Sequence, residues 1–178
     1  MAETKLQLNL TLLPVEDRLL LRIATGKPGS MEEYRFLLTR RFVKLFWQAL
    51  NQLLDIYAAQ NPYVHPEGKE AVKQFQESAV LSQTDFSTPY TTEEKVTPLG
   101  PNPLLLQKFH IKTGPTGNHM LTLEAVTGQA INITLNIQLI HALRKLLVDV
   151  TKEAEWELPF FLTGADAVFL AETPKTIN

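Results

Sequence analysis

Alternation of apolar and polar residues organises the first third of the chain. Residues 6–12 and 34–39 alternate with a period of two, and residues 19–23 form a short apolar run between turns, both of which are typical of strands. From Arg40 onwards, apolar residues recur every three or four positions, which predicts a long helix. The pattern therefore predicts the order strand, strand, strand, helix over residues 5–60.

The same order recurs in the second half of the chain. Residues 105–111, read at alternate positions, are Leu105, Gln107, Phe109 and Ile111, and residues 121–125 and 131–136 continue the two-residue period. A helical period begins near Ile137. The second half, residues 104–156, is therefore also predicted to run strand, strand, strand, helix.

A helix-capping residue stands directly before each helical pattern. Thr39 and Asn136 are residue types whose side-chain oxygen accepts a free N–H group of the first helical turn. The agreement of cap, alternation and helical stripe favours an internal repeat of residues 5–60 and 104–156. Two unrelated antiparallel meanders followed by helices would show the same pattern, so that alternative stays open.

The predicted fold class is α+β, with duplicated β-β-β-α halves related by a pseudo-two-fold axis. Each half is an antiparallel meander plus a long helix. We expect two three-stranded sheets, or one merged sheet, covered on one side by the two helices. Residues 1–178 are treated as a single domain, because a chain of this length fits one hydrophobic core.

Two further segments complete the predicted organisation. A connector, residues 61–103, lies between the halves; its residues 68–83 show helical spacing with Phe75 on the apolar stripe, and residues 84–103 form a long loop containing four prolines. A C-terminal extension, residues 157–178, carries two apolar patches. We expect most of this extension to be packed against the protein.

The composition excludes several classes of protein. The chain has 178 residues, is 44% hydrophobic and carries a formal net charge of −2. The hydrophobic fraction is too high for a disordered chain, and no run approaches the ~20 apolar residues of a spanning helix, so no membrane partner is expected. The lack of cysteine excludes disulfides and thiol nucleophiles and, with no secretory-signal pattern, favours a cytoplasmic location.

The first long helix is apolar on two faces. Its predicted core stripe consists of Phe42, Leu45, Phe46, Ala49, Leu50, Leu53 and Tyr57. A second stripe consists of Val43, Trp47 and Leu54. A helix that is apolar on two faces is covered on two faces, so the second stripe is a candidate interface with another subunit. The alternative cover is another part of the same chain.

Polar residues occupy the sheet face that points away from the predicted helices. Positive charge gathers on this face and at the start of the first helix, and the candidate nucleic-acid residues are Arg18, Arg22, Arg35, Arg40, Arg41, Lys108 and Lys112. A basic sheet face can follow a phosphate backbone, although this outward-facing set includes no aromatic residue on which bases could stack. An ordinary solvated face would carry the same charges.

The predicted topology also has a counterpart among nucleic-acid binders. Two meanders, each followed by a long helix, resemble the duplicated sheet-plus-helix arrangement of the Whirly type of single-strand binder, with three predicted strands per half rather than four. The resemblance is one of topology and includes no signature residues. It implies a single-stranded nucleic acid as an alternative partner.

The sequence predicts no catalytic, metal or cofactor site. The four histidines are scattered and lack the spacing of zinc ligands, and no nucleophile elbow or phosphate loop occurs. We therefore expect a non-enzymatic binding or assembly module that acts through protein–protein contacts, possible self-association included. The alternatives are single-stranded nucleic-acid binding on the basic face and a small-ligand pocket between the two halves.

Overall fold

The computed structural model describes residues 5–59, 68–83, 89–90, 94–114 and 117–158, and within them it shows six strands and three helices. The strands are β1 (Lys5–Leu13), β2 (Arg18–Lys27), β3 (Ser30–Leu38), β4 (Leu104–Lys112), β5 (His119–Ala125) and β6 (Ala130–Leu135). The helices are α1 (Arg40–Ala59), α2 (Lys69–Gln83) and α3 (Ile137–Glu153).

A six-stranded mixed sheet in the order β1-β2-β3-β4-β5-β6 forms the centre of the fold. Strands β1 to β3 make one antiparallel meander, and strands β4 to β6 make the other. The two meanders meet where β3 and β4 run parallel, through the residue pairs Phe36–Leu104 and Leu37–Leu105. The predicted α+β class is confirmed, and the two meanders form one merged sheet.

The alternation in the sequence places one face of each meander against the helices. Leu19, Leu21 and Ile23 of β2 are at most 3% exposed and belong to the hydrophobic core. Arg22 lies between two of them, so it points to the opposite face and is partly exposed. The inner face therefore packs on α1 and α3, while the outer face carries polar side chains together with the buried Leu20 and Ala24.

Both predicted helix caps are confirmed. The hydroxyl oxygen of Thr39 accepts a hydrogen bond from the backbone N–H of Phe42 at 3.2 Å. The side-chain oxygen of Asn136 accepts one from the backbone N–H of Leu139 at 2.8 Å. Each cap satisfies a first-turn donor that has no partner inside its own helix.

Helix α1 buries part of the predicted core stripe, namely Phe42, Phe46, Leu50 and Leu53, together with part of the second stripe. Leu45 is 47% exposed and Tyr57 is 36% exposed, whereas Val43 and Leu54 are 0% and 4% exposed. Helix α1 packs against α2 and α3 as well as against the sheet. The assignment of Leu45 and Tyr57 to the core is therefore wrong. Helix α1 packs against other helices as well as the sheet, and Val43 and Leu54 are buried where Leu45 and Tyr57 were expected to be.

Helix α2 buries only part of the predicted apolar stripe, which also includes Val72 and Val80. Phe75 is 76% exposed, while Val72 and Val80 are half-buried. Arg144 of α3 contacts the carboxylate of Glu77 at 3.4 Å. The face of α2 that meets α3 thus includes an ion pair, and Phe75 is left on the outside of the helix.

The last part of the connector runs beside β3. Val96 forms a parallel bridge with Glu32. The backbone N–H of Val96 donates to the carbonyl of Met31 at 3.0 Å, and its carbonyl accepts from the N–H of Glu33 at 2.8 Å. These bonds fasten the connector to the edge of the first meander.

Several stretches covered by the predictions lie outside the described residues. They include residue 60 of the first half, residues 61–67, 84–88 and 91–93 of the connector, and residues 159–178 of the C-terminal extension. None of the helices in the described part of the chain has the length and hydropathy needed to cross a membrane.

Candidate binding groove

The edge of β4 that faces β3 is open along most of its length. Strand β3 ends at Leu38 and leads into α1, whereas β4 continues to Lys112. Beyond the pair Leu37–Leu105, no strand of the described chain lies along this edge, so residues 106–112 keep one unpaired side. An open edge presents backbone N–H and C=O groups with which an added strand can pair.

A cavity of about 410 Å³ lies between this open edge and the first half of α1. We call it the α1–β4 groove, and its apolar lining is Phe42, Leu45, Ala49, Leu106 and Phe109. The rings of Phe42 and Phe109 pack edge to face, with their centroids 5.5 Å apart. Phe42 is buried, so the apolar surface that water can reach comes from the exposed side chain of Leu45 and the partly exposed ring of Phe109.

A β-bulge shapes the β4 side of the groove. The pairing of β4 with β5 shifts register between Leu106 and Lys108, both of which line the groove. A bulge bends its strand and increases the local twist. The bulge therefore lies where β4 continues beyond the end of β3.

The polar lining of the groove consists of amides and cations. Gln48, Gln52 and Gln107 supply side-chain amides, and Arg41 and Lys108 supply positive charge. No carboxylate is among the described residues that line the groove. Lys108 pairs with a carboxylate outside it, whereas Arg41 is exposed and has no ion-pair partner in the described structure. The groove therefore suits an apolar segment that carries an acidic group.

Arg40, a candidate nucleic-acid residue, is held by the first meander. Its guanidinium donates to both carboxylate oxygens of Asp17, at 2.8 and 3.0 Å, and stacks over the ring of Trp156 at 5.2 Å. The indole N–H of Trp156 donates to the same carboxylate at 2.7 Å. The bonds from Arg40 and then from Trp156 lower the pKa of Asp17. Arg40 thus joins the β1–β2 turn to the end of the α3 region.

Arg22 and Arg35, two more candidates, lie opposite each other on the outer face of β2 and β3. Arg35 donates to the carboxylate of Glu33 and, at 3.0 Å, to the carbonyl of Pro101. Arg22 is half-buried and has no ion-pair partner among the described residues. Arg35 is therefore engaged within the fold, and its charge is compensated by Glu33.

Glu33 is the centre of a buried polar cluster, which we call the connector latch, formed by Glu33, Arg35, Tyr90 and Lys95. Glu33 is 4% exposed; the hydroxyl of Tyr90 donates to it at 2.6 Å, and the ammonium of Lys95 lies 3.8 Å away. Burial alone would raise the pKa of Glu33, but the bonds from Tyr90 and Arg35 and the nearby cations together lower it. Tyr90 and Lys95 belong to the connector, so the latch holds the connector on the sheet.

The remaining predicted cations are dispersed. Lys108 pairs with Glu124 at 3.0 Å, Arg18 is half-buried at the start of β2, Lys112 is exposed at the end of β4, and Arg41 lies in the α1–β4 groove. Three of the seven candidate cations thus have carboxylate partners. These ion pairs reduce the positive charge that the sheet face can offer to a phosphate backbone.

The candidate interface stripe of α1 is covered by the chain itself. Val43 and Leu54 are buried within the monomer, and Trp47 is half-buried. The guanidinium of Arg144 lies 4.9 Å from the centroid of the Trp47 ring and also contacts Glu77 of α2. Cover by other helices of the same chain, the alternative left open by the sequence, therefore accounts for this stripe.

A second cavity, of about 590 Å³, lies between β6 and the first meander. Its lining includes Leu6, Tyr34, Ile131 and Ile133. The hydroxyl of Tyr34 donates to Glu32 at 2.7 Å, and this bond together with burial raises the pKa of Tyr34 to about 12. The cavity lies between the two halves, where a small-ligand pocket is one of the sequence-based alternatives.

Sequence reasoning misses most of the α1–β4 groove. Leu45 and Ala49 line it, although the helical period places both in the core stripe. One signal does exist on the β4 side: residues 104–106 are three consecutive leucines, which break the two-residue period where the strand bulges. Of the predicted site residues, Arg41 and Lys108 are brought together in the groove.

A buried histidine gives the helical layer a pH dependence. His141 is 1% exposed, and neither of its ring nitrogens has a hydrogen-bond partner in the described structure. Burial lowers the pKa of His141, opposed by the charge of Glu77 and reinforced by that of Arg144. The folded pKa of His141 is below its unfolded value of about 6.5. The contribution of His141 to stability is therefore fully present above the unfolded value and is lost as the pH falls through the folded pKa.

We therefore expect His141→Leu to flatten the pH dependence of stability. The substitution removes a group that must stay neutral when buried, so the unfolding midpoint of the variant should change less than that of the parent between neutral pH and about pH 5. Thermal unfolding across that range measures the difference. Parallel pH profiles of the two proteins would show that His141 does not contribute.

The described residues include no group of three His, Asp or Glu side chains placed to hold a metal ion. The chain matches no protein-family model, no curated protein and no solved structure.

Proposed function

We propose that the protein is a non-enzymatic assembly module that self-associates through protein–protein contacts, with the α1–β4 groove as the binding surface. The observation that carries this proposal is the open edge of β4 beside the groove. A strand that enters the groove can pair with the backbone of residues 106–112 while its side chains contact Phe42 and Leu45. Backbone pairing would supply affinity, and the side-chain contacts would supply selectivity.

The exposed apolar area supports a protein partner over a small molecule. Leu45 is 47% exposed directly in the groove. Phe109 is partly exposed in the same groove, whereas Phe42 and Leu106 are buried. Leu45 and Phe109 therefore form the apolar surface that a partner could contact. The glutamine amides around them can bond with a peptide backbone, which has both donors and acceptors.

A single-stranded nucleic acid is the second candidate partner. Arg22, Arg41 and Lys112 are the observation in its favour, since each lacks an ion-pair partner in the described part of the chain. They are spread over different elements, and the other four predicted cations include three that are paired. We therefore rank this function below self-association.

We also propose that the two halves arose by duplication and are related by a pseudo-two-fold axis. Each half contains an antiparallel meander followed by a long helix, and each helix starts at a side-chain cap. Independent evolution of two such halves is the alternative. A relative that contains a single half would support duplication.

The experiment for self-association compares two variants of α1 by light scattering after size-exclusion chromatography. We expect the parent protein to gain mass as its concentration rises and Leu45→Glu to stay monomeric, because the new carboxylate would be buried in an apolar contact. Ile56→Glu is the matched control, since Ile56 is 45% exposed on the same helix but does not line the groove. It should associate as the parent does.

Three results would count against the proposed function. A parent protein that is monomeric at every concentration would refute self-association. Equal loss of association in both variants would remove the groove from the interface. A gain in mass with a mixed single-stranded oligonucleotide, at low salt alone, would favour the nucleic-acid function instead.

A further inference from the structure

We propose that residues 159–171 of one copy occupy the α1–β4 groove of a second copy and lie along the open edge of β4. We call these residues the apolar tail. This inference rests on the proposed function, because it names the partner segment of the same groove. Residues 159–178 lie outside the described structure, so the argument uses their sequence, the end of the described chain and the chemistry of the groove.

The apolar tail has the composition of a segment that is buried against another surface. It contains two groups of large apolar residues, at 160–162 and 168–170, with three phenylalanines, two leucines and one valine between them. Phenylalanine and valine favour strands. An exposed segment of this kind would be an aggregation site, so a defined apolar groove with a free strand edge is its fitting partner.

The described chain ends beside the start of α1. Trp156 is fixed by Asp17 and Arg40, and Leu158 packs against the hydrophobic core. Arg40 is the first residue of α1, and Arg41, the next one, lines the groove. The tail therefore leaves the fold beside the start of the helix that forms one wall of the groove.

The position of the anchor favours a second copy. Trp156 contacts the β1–β2 turn through Asp17, whereas the groove lies on the β4 side of α1. A tail that entered its own groove would have to turn around the start of α1 before any strand pairing began. Reciprocal exchange between two copies has no such restriction, and it fills both grooves in a closed, symmetric dimer.

The charges of the tail and the groove are complementary. Asp166 is the sole charged residue between 159 and 171. The charged residues that line the groove are Arg41 and Lys108, both cationic. Arg41 has no ion-pair partner in the described structure, so an acidic group in the tail would meet its charge, whereas Lys108 already pairs with Glu124.

Cysteine cross-linking tests the contact directly, because the natural chain contains no cysteine. One copy carries Gln48→Cys in the groove, the other carries Val168→Cys in the tail, and the two proteins are mixed under mild oxidation. We expect a cross-linked heterodimer. The control pairs Val168→Cys with Met120→Cys, which lies outside the groove and is 44% exposed, and should give much less product.

A double variant, Gln48→Cys with Val168→Cys, identifies the source of the tail. Cross-links between chains are expected, and cross-links confined to single chains would overturn the exchange between copies. Phe169→Asp in the full chain is expected to raise the dimer dissociation constant by about 10–100-fold, since it places a charge where an apolar side chain is buried. An unchanged dissociation constant would overturn the inference.

The outcomes separate this inference from the proposed function. If Leu45→Glu abolishes association while Phe169→Asp and a chain ending at Leu158 associate like the parent, self-association stands and the tail is not the partner segment. If the parent is monomeric, the proposed function fails whatever the tail does. Loss of association in Phe169→Asp and Leu45→Glu, with Ile56→Glu unaffected, supports both.

Discussion

Replacing Trp156 with alanine is expected to lower the free energy of unfolding by about 3–5 kcal/mol, the usual range for truncating a large buried aromatic side chain. The side chain is 2% exposed and belongs to the hydrophobic core. It also connects the chain after α3 with the β1–β2 turn, through Asp17 and Arg40. The substitution therefore leaves a cavity and detaches the end of the described chain in one step. Urea unfolding followed by circular dichroism measures the loss.

The conservative variant separates packing from hydrogen bonding. Trp156→Phe keeps most of the apolar volume and removes the indole N–H that Asp17 accepts. We expect it to lose clearly less stability than the alanine variant, because most of the effect comes from the cavity. Equal losses in the two variants would show that the hydrogen bond, and not packing, fixes this residue.

Removal of the Glu33 side chain is expected to have the second largest effect. Glu33→Ala removes the carboxylate that accepts from Tyr90 and Arg35 and that lies 3.8 Å from the ammonium of Lys95, whose side chain is 5% exposed. Removing one side of a buried ion pair costs about 3–5 kcal/mol, because the charge that compensates the buried cation is lost from the interior. Chemical unfolding measures the loss, and proteolysis should cut the connector first, since the latch holds it.

The matched control for this prediction is the neighbouring carboxylate. Glu32 is exposed, and Glu32→Ala should change the free energy of unfolding by less than about 1 kcal/mol. Similar losses in the two variants would contradict the distinct role of the latch.

The latch also has a defined pH dependence. The pKa of Glu33 is lower in the folded protein than its ordinary value of about 4.5. Its contribution to stability is therefore full above that value and is lost as the pH falls through the lower, folded pKa. In Glu33→Gln this part of the acid-induced loss should disappear, and the difference in stability between parent and variant should shrink as the pH is lowered.

The elements of the fold can be predicted because their signals are local. The two-residue period of β1, the helical period of α1 and the capping types of Thr39 and Asn136 depend on a few neighbouring residues. The structure confirms both caps and the sequence of elements. Their order along the sheet follows from short hairpins within each meander.

The groove cannot be predicted in the same way because it depends on distant parts of the chain. Whether Leu45 or Val43 is buried depends on which side of α1 packs against a second element besides the sheet. The helical period is compatible with either side. The open edge of β4 exists because β3 ends at Leu38 while β4 runs on, which is a relation between two halves of the sequence. The ion pairs of the basic residues cannot be predicted from local sequence either, because the carboxylate partner of Arg40 is Asp17, which is far from it along the chain.

The short junction between the meanders has a consequence for the order of folding. Each meander joins neighbouring strands through short hairpins, so its contacts are local and form at a small entropic cost. The pairs Phe36–Leu104 and Leu37–Leu105 close a loop that contains α1, α2 and the whole connector. Formation of the two meanders should therefore precede their junction, and the junction, with α1 packed across it, should be the slow step of folding.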